Sequence, residues 1–259
     1  MDEPRPHAGA DDAPLAAAQR QMADMRAAHE AFLHGVAHDL RAPLRHVTSY
    51  GALLRELLQE LPGPRPQVDE ALDFTAAIGQ AARRMGLMID GLHAIARAGS
   101  APLRLGAVDL HAAVRDARAG LARAEAGRAV RWDIAPPMPA VRADADLLRQ
   151  LLAQALDNAL KFTRARADAR ITVQAASAAG AQGQPCVRIT IGDNGVGFDG
   201  ARAQRLFGVF QRMHRESEFD GVGAGLALCQ TIAQRHGATI SAHATPGEGC
   251  TLTLDWPAA

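Results

Sequence analysis

The chain has 259 residues, enough for one large or two modest domains. Lys and Arg total 28, as do Asp and Glu, so the net charge of zero gives no case for nucleic-acid binding. The hydrophobic share of 48% is ordinary for a soluble protein, and Cys186, Cys229 and Cys250 lack metal-ligand spacing. No apolar run reaches the roughly 18 residues of a membrane span. The start, MDEPRPHAGADDAP, lacks a basic-then-apolar signal architecture. Residues 1–14 therefore read as a disordered leader. A cytoplasmic, reducing location is expected, although a parent protein could be membrane-attached if the chain is a fragment.

A helix is expected from Leu15. Leu15, Met22, His29 and Val36 lie seven apart, with Met25 and Phe32 on the other seam. That is the pattern of a short coiled coil, although a plain solvated helix accommodates it too. Apolar residues continue at Phe32, Val36, Leu40, Leu44, Val47, Gly51, Leu54, Leu58 and Leu61 in steps of three or four, one face of a helix. Within this stripe stand His38 and Asp39, then Arg41 and Pro43, a tolerated kink unless the pattern ends at Ala42. Taken alone, His38 is equally well a packed or solvated helix histidine. The helix should stop near Leu61, before the breaker PGPRP. A second stripe, Val68, Leu72, Ala82, Met85, Ile89 and Leu92, fades at Ala98, Gly99 and Ser100. The two helices predict an antiparallel hairpin spanning residues 15–100. One hairpin leaves an apolar stripe uncovered. A homodimeric four-helix bundle, around Leu54, Leu58, Met85 and Ile89, would cover it unless the next domain does.

Residues 101–259 read as a second domain. Val108 to Leu110 suggests a short strand or its lead-in, Leu110 to Glu125 a helix, Ala129 to Ile134 a strand, and Pro136, Pro137 and Pro139 a rigid connector. Asp144 or Asp146 can cap a helix running through Lys161. Strands are expected at 171–175 and 187–191, a helix at 224–236, and two closing strands at 238–243 and 250–255 around the turn TPGEG. The mixture, without regular βαβ spacing, favours an α/β sandwich with helices on one face of a mixed sheet.

Three stretches of this domain suit phosphate chemistry. On the helix ending at Lys161, Gln154, Asn158 and Lys161 share one stripe. A carboxamide oxygen can hold a magnesium ion and a lysine can neutralise phosphate, but an amphipathic helix with a wet face explains the stripe equally well. In DNGVG (193–197), Gly195 and Gly197 permit tight backbone near a ligand, and Asp193 can accept from an amino group; a plain turn is the alternative. GVGAGL (221–226) opens the later helix with backbone amides suited to polyphosphate. It is neither a Walker loop nor a dinucleotide fingerprint.

Taken together, the chain resembles the sensor histidine kinases of two-component systems. HDLRAPLR (38–45) resembles their phosphoacceptor box and QALDNALKFT (154–163) their asparagine box. DNGVGF (193–198), LFGVF (206–210) and GVGAGLALC (221–229) resemble the first glycine, phenylalanine and second glycine boxes. The boxes stand in family order, and the phosphoacceptor box and short lid look most like phytochrome-like kinases.

The resemblance implies a Bergerat (GHKL) fold binding ATP with Mg2+. His38 would take the phosphoryl group, with Asp39 orienting its ring or accepting its proton. Asn158 would be the magnesium ligand, Asp193 the adenine reader, Lys161 a phosphate contact and Phe162 a border of the base. Gly195, Gly197, Gly221, Gly223, Gly225 and Leu226 would shape the pocket and its hinges. Residues 211–220 would form a lid anchored by Phe207 and Phe210, with Arg212 or Arg215 reaching the γ-phosphate. Implied partners are a second copy, a response-regulator receiver domain, and an upstream sensory domain or separate sensor. Three departures stand out. Gln154 replaces a common second asparagine. Ala224 replaces a larger aliphatic residue, which should loosen lid packing. Ala42, one turn after His38, has no polar group to position water for regulator dephosphorylation. Two other readings stay open: a non-catalytic dimeric phosphotransfer module with a decayed ATP site, and another Bergerat-fold ATPase.

Overall fold

A computed structural model describes residues 40, 41, 43–60, 66–180, 183–215 and 218–258. The coiled-coil seam, His38, Asp39 and Ala42 lie outside the described residues. Helix α1 (43–59) and helix α2 (Pro66–Ser100) form the expected antiparallel hairpin. The pairing is read from contacts that descend one helix while they climb the other. Arg41 bonds Asp90 at 2.7 Å, Leu44 faces Gly86, and Gly51 faces Ile78. Pro43 is tolerated within helical backbone.

The hairpin leaves much of its apolar surface open. Leu53, Leu54, Leu57, Phe74, Ile78 and Met85 are all exposed large hydrophobics. Ile89, counted in that seam by periodicity, is instead 6% exposed within the single chain. It is therefore already covered and unavailable to a second copy. Among the described residues, no helix is long and apolar enough to cross a membrane.

After α2 the period changes from helical to strand-like. Strand β1 (Leu105–Val108) pairs antiparallel with β3 (Val141–Asp144), a strand too short to stand out in sequence. The expected helix from Leu110 breaks at Gly120 into α3 (Leu110–Ala119) and a single turn, α4 (Ala122–Glu125). The main sheet contains β2 (Val130–Ile134), β4 (Ala169–Ala179), β5 (Pro185–Asp193), β6 (Thr239–Thr245) and β7 (Gly249–Pro257), in the order β2-β4-β5-β7-β6. β2 runs parallel to β4 and the other pairs are antiparallel, the mixed sheet anticipated from spacing. Helices α5 (Ala145–Phe162) and α6 (Gly225–Arg235) pack on it. Leu148, Leu152, Leu156 and Leu160, one helical stripe, are buried with Ile171, Ile189, Ile191 and Leu254 from the alternating strand positions. A 3-10 helix (Gly200–Phe207), absent from the sequence expectation, is capped by Asp199 and ends on buried Phe207.

Asp144 fixes where α5 starts. Its Oδ1 accepts from the N–H groups of Asp146 and Leu147, and its Oδ2 from that of Arg104, at 3.0 to 3.2 Å. Its own N–H donates to His236 Nε2 at 3.0 Å, while His236 Nδ1 donates to Ile232 O. One buried residue thus joins the entry to β1, the start of α5 and the end of α6. The Arg104 amide, foremost among these donors, holds the Asp144 carboxyl below its ordinary value. The linked stability is present above about pH 4 and lost as pH falls through that lowered value. Asp144→Ala should cost about 2 kcal/mol in urea unfolding at neutral pH, and this difference should shrink in acid. An unchanged midpoint would refute this role for the cap.

Candidate functional site

Capping at Asp144 sets the phase of α5. With its leucine face against the sheet, the opposite azimuth turns Gln154, Asn158, Lys161 and Phe162 to a cavity of about 590 Å³. Lys161 Nζ donates to Asn158 Oδ1 at 3.1 Å and lies 4.5 Å from the Phe162 ring centroid. Burial pulls the Lys161 ammonium below its ordinary value. The carboxamide oxygen of Asn158 is therefore turned toward a cation that is itself short of solvent.

Asp193 faces this wall from the end of β5, and strand parity places it there. Val187, Ile189 and Ile191 point into the core, so the next residue of that row, Asp193, emerges on the same face just beyond the apolar layer. Its row neighbours across the sheet are Ile171 on β4 and Cys250 on β7. Gly195 N donates to Asp193 Oδ1 at 2.8 Å, and the Cys250 amide also donates to the carboxylate. Burial outweighs both bonds and raises the carboxyl to about 6. Burial, helped by the Asp193 charge, pushes the Cys250 thiol up to about 12, so it stays a neutral thiol beside that carboxylate.

The turn after β5 is clamped from both sides. Val196 N donates to Phe162 O at 3.2 Å, tying the turn to α5. Gly197 has φ of 60°, and a Cβ there would collide with Thr245 O of the β6–β7 turn. Arg166 Nη2 bridges the two turns, donating to Gly195 O and Gly247 O.

The opposite rim is formed by residues 211–214 and 219–223 and the start of α6. Arg212 donates to Gly221 O and Phe219 O, so it staples the segment's own backbone while lining the cavity. Arg215 does not line it. His214, Phe219 and Phe162 form a triangle of rings with centroids 5.0 to 5.4 Å apart. Phe210 N donates to Gly223 O at 2.9 Å. Gly223 has φ of 77°, and a Cβ there would lie 2.5 Å from Gln211 O. No side chain caps α6, so amides of its first turn are left for another acceptor at the cavity edge.

The cavity thus brings together Asn158, Lys161, Phe162, Asp193, Gly197, Gly221, Gly223, Gly225 and Leu226. Gly195 and Phe210 do not line it and shape it from behind; Phe207, the buried last residue of the 3-10 helix, does not line it either. Gln154 does line it, with its Oε1 2.5 Å from where a Cβ on Gly225 would sit. Ala224 is 8% exposed, its Cβ 2.5 Å from where a Cβ on Gly91 of α2 would sit. Cys250, His214, Phe219 and Leu87 also line the cavity. Sequence reasoning gave Cys250 and Leu87 no site role and placed His214 and Phe219 only within the lid. Cys250 could have been found from the β5–β7 register, the aromatic pair from its spacing beside the glycine loop, and Leu87 by no local signal.

Residues 143–259 match the family model described as histidine kinase-, DNA gyrase B-, and HSP90-like ATPase. Phytochrome-like protein Cph1 of Synechocystis sp. is 29% identical over 92% of this chain and 30% of its own length. Adaptive-response sensory kinase SasA of Synechococcus sp. is 30% identical over 86% of this chain and 57% of its own length. The crystal structure of full-length ShkA in complex with AMPPNP matches with a TM-score of 0.59 at 25% identity, covering 88% of this chain and 45% of that one. The chain thus spans only part of each of these relatives.

The raised carboxyl of Asp193 gives a measurable pH signature. Its protonated form adds stability that is complete below about pH 4 and lost as pH rises through about 6. Asp193→Asn removes that dependence. Relative to the parent chain, the variant should gain up to ~3 kcal/mol between pH 4 and 7, read by urea unfolding across the range. A flat difference would contradict a desolvated carboxylate.

Proposed function

We propose that this chain, whose carboxy-terminal Bergerat-fold domain is homologous to the ATP-binding domains of sensor histidine kinases, is the catalytic core of an ATP-dependent histidine autokinase. One observation carries the reading: a single cavity gathers a carboxamide, a lysine, a desolvated carboxylate and an uncapped helix start. Asp193 can accept from the exocyclic amine of adenine, and the Cys250 thiol and the Phe162 ring border the base. The α6 amides and Lys161 suit the phosphates. The presence of all these groups in one cavity disfavours the decayed-site alternative.

Magnesium fits the donor set on one condition. Among the described residues no cluster of three His, Cys, Asp or Glu could hold a metal. Asn158 Oδ1 would therefore be a lone protein ligand, with phosphate and water completing the shell, as suits this ion. Bound there, magnesium would neutralise charge on the transferring phosphoryl group. Lys161 would turn from Asn158 Oδ1 toward phosphate.

His38 then attacks the γ-phosphorus through a neutral ring nitrogen. The bond to the β–γ bridging oxygen breaks, ADP leaves, and Asp39 accepts the ring proton. The phosphoryl group passes onward to an aspartate of a response-regulator receiver domain. The exposed stripe of α1 and α2 supports a homodimer, its seam running through Leu53, Leu54, Leu57 and Met85.

Incubation with γ-labelled ATP and magnesium should give an acid-labile, base-stable label. His38→Gln should abolish it, and Asn158→Asp should slow its appearance at saturating nucleotide. Label persisting in His38→Gln would overturn the assignment. Light scattering at micromolar concentration should report twice the chain mass, and a monomer at high concentration would defeat the bundle.

A further inference from the structure

We infer that the helical hairpin supplies one wall of the nucleotide cavity, so that nucleotide binding and the seating of α2 on α6 form a single coupled equilibrium. This rests on the reading of the cavity as a nucleotide site. Leu87, 55% exposed, belongs to α2 yet lines the cavity. One turn on, a Cβ built at Gly91 would stand 2.5 Å from the Cβ of Ala224, the residue from which α6 starts. Ala94 and Ile95 pack against the core of the sheet domain, and Ala98 is 2% exposed. Arg235 Nη1, at the far end of α6, donates to Ala98 O at 2.9 Å.

Residues 87, 91, 94 and 98 fall on one helical face, so a continuous stripe of α2 is laid along α6. Its amino-terminal end is at the cavity and its carboxy-terminal end at Arg235. The stripe is made of small residues where the helices approach most closely, and of a leucine where the cavity opens. Ala224 and Gly91 are therefore a matched pair: a larger residue at either position would lift α2 and take Leu87 off the cavity. Asp90, next to Gly91, holds Arg41, just ahead of α1, at 2.7 Å, so the same turn also holds the chain three residues after His38 in sequence.

The test uses the full chain and the binding of magnesium-AMPPNP by calorimetry. Leu87→Ala should weaken binding about threefold, and Gly91→Ala about three- to tenfold, through lost apolar cover and a displaced wall. The clash is between two methyl-sized groups, so adding Ala224→Gly to Gly91→Ala should restore affinity toward the parent value. A generally damaged helix would not respond in that way. Hydrogen exchange at 224–228 should rise in Gly91→Ala and fall back in the double variant. If the parent chain binds the analogue and Leu87→Ala and Gly91→Ala bind equally well, the composite wall is wrong while the nucleotide site stands. Absence of binding by the parent chain would remove both readings.

Discussion

A carboxylate largely desolvated, with no cation beside it, is the constraint on which the cavity depends. Asp193 has only two peptide N–H donors to offset the loss of water, and they do not suffice to keep it at its ordinary acidity. Such a group is held in place only because everything around it is more stable than the penalty. The leucine face of α5 fills the core below it. The turn that supplies the Gly195 amide is pinned between Phe162 O and the β6–β7 turn. The neighbouring strand brings Cys250 by register. The free energy lost by that poorly solvated charge is what a polar partner with an amine could recover, and it gives the site selectivity for a donor.

The cationic side of the cavity is arranged in the opposite sense. Lys161 is also short of solvent, but it has a carboxamide oxygen and an aromatic face close by. The two perturbed groups therefore stand on different walls, a carboxylate at the end of a strand and an ammonium on a helix. A ligand with an amino-bearing base at one end and negative charge at the other spans that polarity. Arg212, although it lines the same space, is occupied with backbone carbonyls and holds the rim in shape.

Much of this was legible from residue order. The 3.6 period of α5, the alternation of β5 and β7, and the glycine punctuation around 193–197 and 221–225 are strong local signals, and the elements follow them. Other parts were not legible, for physical reasons. Four residues of β3 carry too little pattern to register, and Gly120 broke a helix whose apolar positions continue past it. The packing of Ala224 and the place of Leu87 depend on how α2 meets α6, and no local spacing encodes a contact between residues more than a hundred positions apart. The Asn158 stripe was ambiguous for a related reason: wet face and ligand face look alike until a facing wall is known.

The row shared by Ile171, Asp193 and Cys250 also sorts the chain by its tolerance to changes in length. β4 ends at Ala179 and β5 begins at its partner Pro185, at the far end of both strands from Asp193. Residues could be added there without altering which side chains face inward at 193. A single insertion between Ile189 and Asp193 would reverse that parity and exchange the carboxylate for its neighbour. The turn between β6 and β7 is different again, because Gly247 N bonds Val196 O and Arg166 reaches Gly247 O. Two hairpins of the same sheet thus live under unlike rules: one is free to drift in length over time, and the other is locked to the turn it touches.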